Sequence, residues 1–188
     1  MEISTLVGNI RYPKDKTIQY ESKGEKFYLV DLAFNGYSIP AVCSEYLLKD
    51  IEGRASVKGY ISSTYHHVDG KRKLFTFFYI TDLEKVSDDT EFSDMVKLDI
   101  VLTKIGKFKI SDKNGRAYLP LVGKCYIGYK KSAIIHMLAS ETNARQLKDC
   151  KVDDRIVATG YIHQRGVPIQ VVLADVVSIH RKEGTSDV

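Results

Sequence analysis

The chain has no tryptophan, four prolines and three cysteines among its 188 residues. Cys43, Cys125 and Cys150 are odd in number and show no CxxC spacing. That excludes a fully paired disulfide frame and a cysteine-built zinc site, and leaves free thiols of a reducing, cytoplasmic setting as the expectation. No apolar run approaches the ~20 residues that a membrane span requires. The opening MEISTLVGNIRYPKD carries no basic stretch followed by an apolar one, so no secretory signal and no membrane partner are expected. Phosphate-loop, GxSxG and HExxH patterns are absent. His66 and His67 have no cysteine or carboxylate at ligand spacing. Nothing beside Cys43 would activate its thiol. No catalytic residue, metal or cofactor is therefore expected.

Charge of one sign is also short in one half. Residues 1–92 hold 12 Lys/Arg against 14 Asp/Glu, a net −2, while 93–188 hold 16 against 10, a net +6. The whole chain is at +4. Only the second half has the positive bias that suits a polyanion.

What the chain does have is strand pattern, written twice. Residues 3–10 and 26–34 read as strands, and 17–20 can resume the first of them before the turn Ser22-Lys23-Gly24-Glu25. Asn35-Gly36 is a tight-turn signal leading into a third strand at 37–43. Ser44 is placed to cap a short helix over 45–50. Residues 54–61 form a fourth strand, in which Gly59 marks a bulge or bend. Residues 62–73 hold the Asp69-Gly70 turn among Lys71, Arg72 and Lys73, and 74–80 form a fifth strand running to about residue 86. The segment 87–94 (SDDTEFSD) is polar and acidic and reads as a linker. The pattern then restarts: a strand at 95–105, a turn at 112–115, strands at 116–122, 124–129 and 132–138, a helix over 139–150, and strands at 155–162 and 171–179. Its last hairpin, Gln164-Arg165-Gly166, is much shorter than the one before it.

Five strands with a helix between the third and fourth suggest the OB barrel. The expected fold is all-β, as two tandem five-stranded OB barrels. The expected divisions are a first domain over 1–86, a linker over 87–94, a second domain over 95–181 and a tail over 182–188.

The motifs themselves resemble those of the bacterial and phage single-stranded-DNA-binding protein family. Leu6-Val7-Gly8-Asn9-Ile10, Ile39-Pro40-Ala41-Val42, Val57-Lys58-Gly59-Tyr60-Ile61 and Asp69-Gly70-Lys71-Arg72 follow the family's order over residues 3–86. Leu102-Thr103-Lys104-Ile105 and Gly160-Tyr161-Ile162 echo it more loosely in the second half. The resemblance implies a sequence-independent single-strand binder of bacterial, phage or mobile-element origin, acting in replication, recombination, repair or DNA transfer. It also implies a homodimer that brings four barrels together. Where the family carries aromatic platforms, this chain has Ser38 and Ser44, and near the second-half equivalents Met137 and the Lys131-Ser132 pair. No acidic C-terminal tail for recruiting replication proteins is expected, since the sequence reads RKEGTSDV there. An adaptor of two OB domains that binds proteins, or a binder of RNA, are the alternative readings.

Single-strand binding needs cations along the phosphates and aromatic faces for the bases. The candidates are Lys58, Tyr60, Tyr65, Lys71, Arg72, Lys73 and Phe75 in the first half. In the second they are Lys104, Lys107, Phe108, Lys109, Tyr161 and Arg165. Further cations are Lys14, Lys16, Lys113, Arg116, Lys124, Lys130 and Lys131, and further aromatics are Tyr12, Tyr20, Phe77, Tyr79, Tyr118, Tyr126 and Tyr129. Any of these can instead serve solubility or the core.

Overall fold

The computed structural model describes residues 2–12, 18–48, 53–68, 70–128, 131–163 and 169–182. The first half holds β1 (Ser4–Arg11), β2 (Ile18–Ser22), β3 (Glu25–Ala33), β4 (Ser38–Ser44), α1 (Glu45–Leu48), β5 (Gly53–Val68) and β6 (Lys71–Lys85). The second holds β7 (Met95–Ile105), β8 (Lys109–Ile110), β9 (Ala117–Gly128), β10 (Lys131–Ser140), α2 (Glu141–Leu147), β11 (Arg155–His163) and β12 (Gln170–His180).

Each half closes on itself. β1 pairs with both β3 and β5, β5 with β6, β6 in parallel with β4, and β4 with β3. β7 pairs with β9 and β11, β11 with β12, β12 in parallel with β10, and β10 with β9. Both rings are five-stranded OB barrels, and β2 and β8 hang on β3 and β9 as additional strands. Alternation fills the interiors: on β7, Val96, Leu98, Ile100 and Leu102 are buried while Met95 and Lys97 point out. The register confirms the internal repeat. Gly59 lies opposite Ser4 and Val57 opposite Leu6, as Gly160 lies opposite Val96 and Ala158 opposite Leu98.

Both glycines sit at a bulge. A Cβ on Gly59 would come within 2.0 Å of the Tyr79 carbonyl oxygen, and one on Gly160 within 2.6 Å of that of Val172. The close crossing of strands, not backbone freedom, demands glycine here.

Some elements differ from expectation. Residues 116–122 and 124–129, expected as two strands, are the single strand β9. Gly123 is no break; it lets β9 approach β7, where its Cβ would fall 2.1 Å from Ile100 Cγ2. The strands of the expected hairpin run further than 61 and 74: 62–68 belong to β5 and 71–73 to β6, which together make a long two-stranded ribbon. The helix expected over 139–150 is only Glu141–Leu147, because Ala139 and Ser140 remain extended in β10. At α1, the Leu47 N–H donates to Ser44 Oγ at 3.4 Å, so Ser44 caps as expected. Residues 87–94 are tied to the first barrel. Val7 and Ser93 exchange backbone hydrogen bonds of 2.8 and 3.0 Å, and Arg54 lies 3.7 Å over the Phe92 ring while donating to the Thr90 carbonyl.

One buried carboxylate holds the corner between α2 and β11. Asp154, 3% exposed, accepts from the Lys151 N–H at 2.8 Å and the Lys182 N–H at 3.0 Å. The Lys151 bond, joined by that of Lys182, keeps its pKa below the ordinary carboxylate value despite burial.

Gly59→Ala should destabilise the protein by about 1–3 kcal/mol or more in thermal or urea unfolding, because the collision is with backbone. Gly160→Ala should do the same. Asp154→Asn should cost about 1–3 kcal/mol at neutral pH. The folded-state pKa is the lower one, so this stabilisation is present above the unfolded value of about 3.9 and fades as pH falls below it. Unfolding curves for both proteins at pH 7 and pH 3 test that convergence.

Candidate nucleic-acid interface

The ribbon of β5 and β6 has two faces, and its register sorts the candidate residues between them. Tyr60 lies opposite Tyr79, Ser62 opposite Phe77 and Thr64 opposite Phe75, so these share one face with Lys71 and Lys73. Ser63, Tyr65, Arg72 and Leu74 occupy the other. A period of two thus splits the run Lys71-Arg72-Lys73.

On the first face the aromatic rings form a row. Phe75 and Phe77 stand 5.7 Å apart, Tyr60 and Tyr79 5.3 Å apart, and Phe27 lies 6.1 Å from Tyr79. Tyr60, Phe75, Phe77 and Tyr79 are half-buried, while Lys71 and Lys73 are exposed at the tip.

The second face lies against the other barrel. Among the described residues, β12 pairs with β10 along 136–138, and no strand pairs with that edge of β10 before His136. The ribbon covers that edge, and the Ile134 N–H donates to Ser63 Oγ at 2.8 Å. Between ribbon and barrel runs an open cleft of about 530 Å³, lined by Ser63, Thr64, Tyr65, Arg72, Lys124, Ser132 and Ile134. The Arg72 guanidinium sits 3.8 Å over the Tyr65 ring, a cation–π contact that fixes both. Lys124 projects from β9 directly opposite Ile134. The lining offers two cations, an aromatic face and three hydroxyls, with no carboxylate. That set can hold a phosphodiester backbone and stack a base.

Other candidates fall elsewhere. Lys58 is bound to Asp82 at 3.0 Å, and that bond raises its pKa, so its charge is already partnered. Tyr161 is 45% exposed on β11, opposite Met95. Lys104 and Lys107 are exposed, and Lys109 opens β8 opposite Tyr118. Phe108, expected as a platform among those lysines, is half-buried and packs against the core. Ser44 and Met137 are buried, so neither position offers a surface for stacking. Lys14, Lys16, Asp69, Tyr129, Lys130 and Arg165 lie outside the described residues, as do the side chains of Tyr20, His66 and His67. Ser63, Thr64 and Ile134 went unnoticed in the sequence, and Ser132 was noted only near a position where the family carries an aromatic platform. Their one signal is the alternation along β5 and β10, and it points to nothing until the ribbon is known to cross.

A second junction joins the barrels. The Tyr37 hydroxyl faces a carboxylate oxygen of Asp94 and, at 2.9 Å, the Ile162 carbonyl. The Tyr37 ring stacks on His163 at 5.7 Å and 6°. Burial first, and then Asp94, raise the phenol well above its usual range, so it stays a donor. Burial likewise pushes the Cys43 thiol up to about 12, which keeps it protonated and unreactive. Among the described residues no group of three or more His, Cys, Asp or Glu is placed to hold a metal ion. Among the described residues no helix is long and apolar enough to cross a membrane.

No protein-family model and no curated protein matches this sequence. Solved structures do match. The wild-type single-stranded DNA binding protein from Thermus aquaticus superposes with a TM-score of 0.69 at 13% identity, over 100% of this chain and 96% of that one. A deletion variant of the same protein superposes with a TM-score of 0.70 at 13% identity, over 97% and 94%. One superposition spans both barrels, so the tandem OB fold is shared as a whole.

Tyr37→Phe should cost about 1–3 kcal/mol of stability, because Asp94 and the Ile162 carbonyl lose a common donor. Urea unfolding measures it; an unchanged midpoint would show the junction to be dispensable.

Proposed function

We propose that this chain, built on the tandem OB fold found in the Thermus aquaticus single-stranded DNA binding protein, itself binds single-stranded DNA without marked sequence preference. The observation that carries the reading is the cleft between ribbon and second barrel, where Arg72, Lys124 and Tyr65 converge without an opposing carboxylate. Cations spaced along a groove draw the backbone, and an aromatic face takes any base. The aromatic row of the ribbon's other face, with Lys71 and Lys73 beside it, extends the same chemistry past the cleft. The protein then acts as a non-enzymatic coat or escort for single strands in replication, recombination, repair or transfer.

A homodimer is part of the proposal. Met95 and Tyr161, 39% and 45% exposed, pair across an outward surface of the second barrel. Apolar side chains on that strand face suit burial against a second copy. The domain division at residues 87–94 belongs to the same reading, with the linker docked on the first barrel.

Fluorescence titration with labelled oligo-dT, in single- and double-stranded forms, tests the function. Binding should be tighter for the single strand and weaken with salt. Arg72→Ala and Lys124→Ala should each flatten the log–log salt slope by about 0.7. Tyr65→Ala should cost about 1–3 kcal/mol. Binding that ignores all three changes would remove the cleft from the site. No binding, together with capture of a protein partner, would select the adaptor reading.

A further inference from the structure

We propose that His136 is a proton-linked phosphate contact that extends the cleft and tightens its hold on a nucleic-acid backbone as the pH falls from about 8 to about 6. The inference rests on the nucleic-acid reading of that cleft. β10 turns Ala133, Ile135, Met137 and Ala139 into the core and Ser132, Ile134, His136 and Leu138 outward. Ser132 and Ile134 line the cleft. His136 is the next side chain on the same face, about 7 Å further along the strand.

The register places it in a row that crosses the barrel. Lys104 on β7 lies opposite Val122 on β9, Val122 opposite His136, His136 beside Gln170 on β12, and Gln170 opposite His163 on β11. Lys124, two residues from Val122, stands on the same outward face of β9. The charged or titratable groups on this face around His136 are therefore Lys104, Lys124 and His163, and the ribbon packed against β10 adds Arg72. No carboxylate stands in that row among the described residues. Burial first, and then the charge of Lys104, hold the His136 pKa below the ordinary histidine value. The ring is thus neutral in the free protein at neutral pH.

A phosphate laid along this face supplies the negative partner that the row lacks. It favours the imidazolium, so binding takes up a proton wherever the free ring is neutral. Affinity then rises as pH falls, until the free ring is protonated as well. A cation at this place costs the unliganded protein nothing at neutral pH and appears when the backbone arrives.

The test is oligo-dT titration at pH 6, 7 and 8 and constant ionic strength, for the wild type and His136→Gln. The wild type should gain about 3- to 10-fold in affinity from pH 8 to pH 6. His136→Gln should lose that gain, binding about equally at pH 6 and pH 8. NMR titration of the His136 ring in the wild type gives a second readout that does not depend on a variant folding: its midpoint should move up when oligo-dT is added. A pH gain that survives in His136→Gln, or a midpoint that does not move, overturns the inference while leaving nucleic-acid binding intact. Absence of binding at every pH overturns both.

Discussion

A strand edge left without a partner must find one, and in this protein one such edge is satisfied by the other barrel. β12 meets β10 over only three residues, so the first half of β10 would expose its backbone polar groups. The ribbon of β5 and β6 lies there instead, and the bond from the Ile134 N–H to Ser63 Oγ records the contact. The cleft follows from this arrangement. One wall belongs to the first barrel and the floor to the second, so neither barrel alone forms the cleft.

The two halves are the same unit put to different uses. Gly59 and Gly160 occupy equivalent bulges, and each is required by a close crossing. The tyrosines that follow them diverge. Tyr60 is half-buried beside Tyr79, whereas Tyr161 stands exposed opposite Met95. The positive balance of the second half meets Arg72, which the first half carries out to it on the ribbon. One cation from each half, Arg72 and Lys124, thereby lines the same cleft. The junction of Tyr37, Asp94 and Ile162, with Ser93 paired to Val7, holds the barrels in the relation that keeps the groove formed.

Much of the fold was legible because strand alternation and turn residues are local signals. The bulge at Gly59, the Ser44 cap and the repeat of 54–61 in 155–162 all read correctly for that reason. Gly123 misled because glycine marks both a turn and a close approach, and only the neighbouring β7 decides between them. The hairpin over 62–73 was legible from its turn residues, but its two faces were not, because its residues alternate between a cleft and an aromatic row rather than between core and water. Phe108 looked like a platform for a related cause: flanking lysines show that a segment reaches the surface, not where its ring points.

The amino-acid order alone determined two closed barrels, their helices between third and fourth strands, and a set of cations and aromatics larger than any one site could use. Hydrogen-bond periodicity and hydrophobic alternation act within a few residues, so the chain carries them openly. Only the tertiary structure decided which of those cations share a groove. That choice depends on how one barrel's ribbon crosses another barrel's open edge, a contact between Ser63 and Ile134, which are 71 residues apart. No local pattern encodes a pairing at that distance. The same crossing brings Arg72 and Lys124 to one cleft, while strand alternation parts Arg72 from its lysine neighbours.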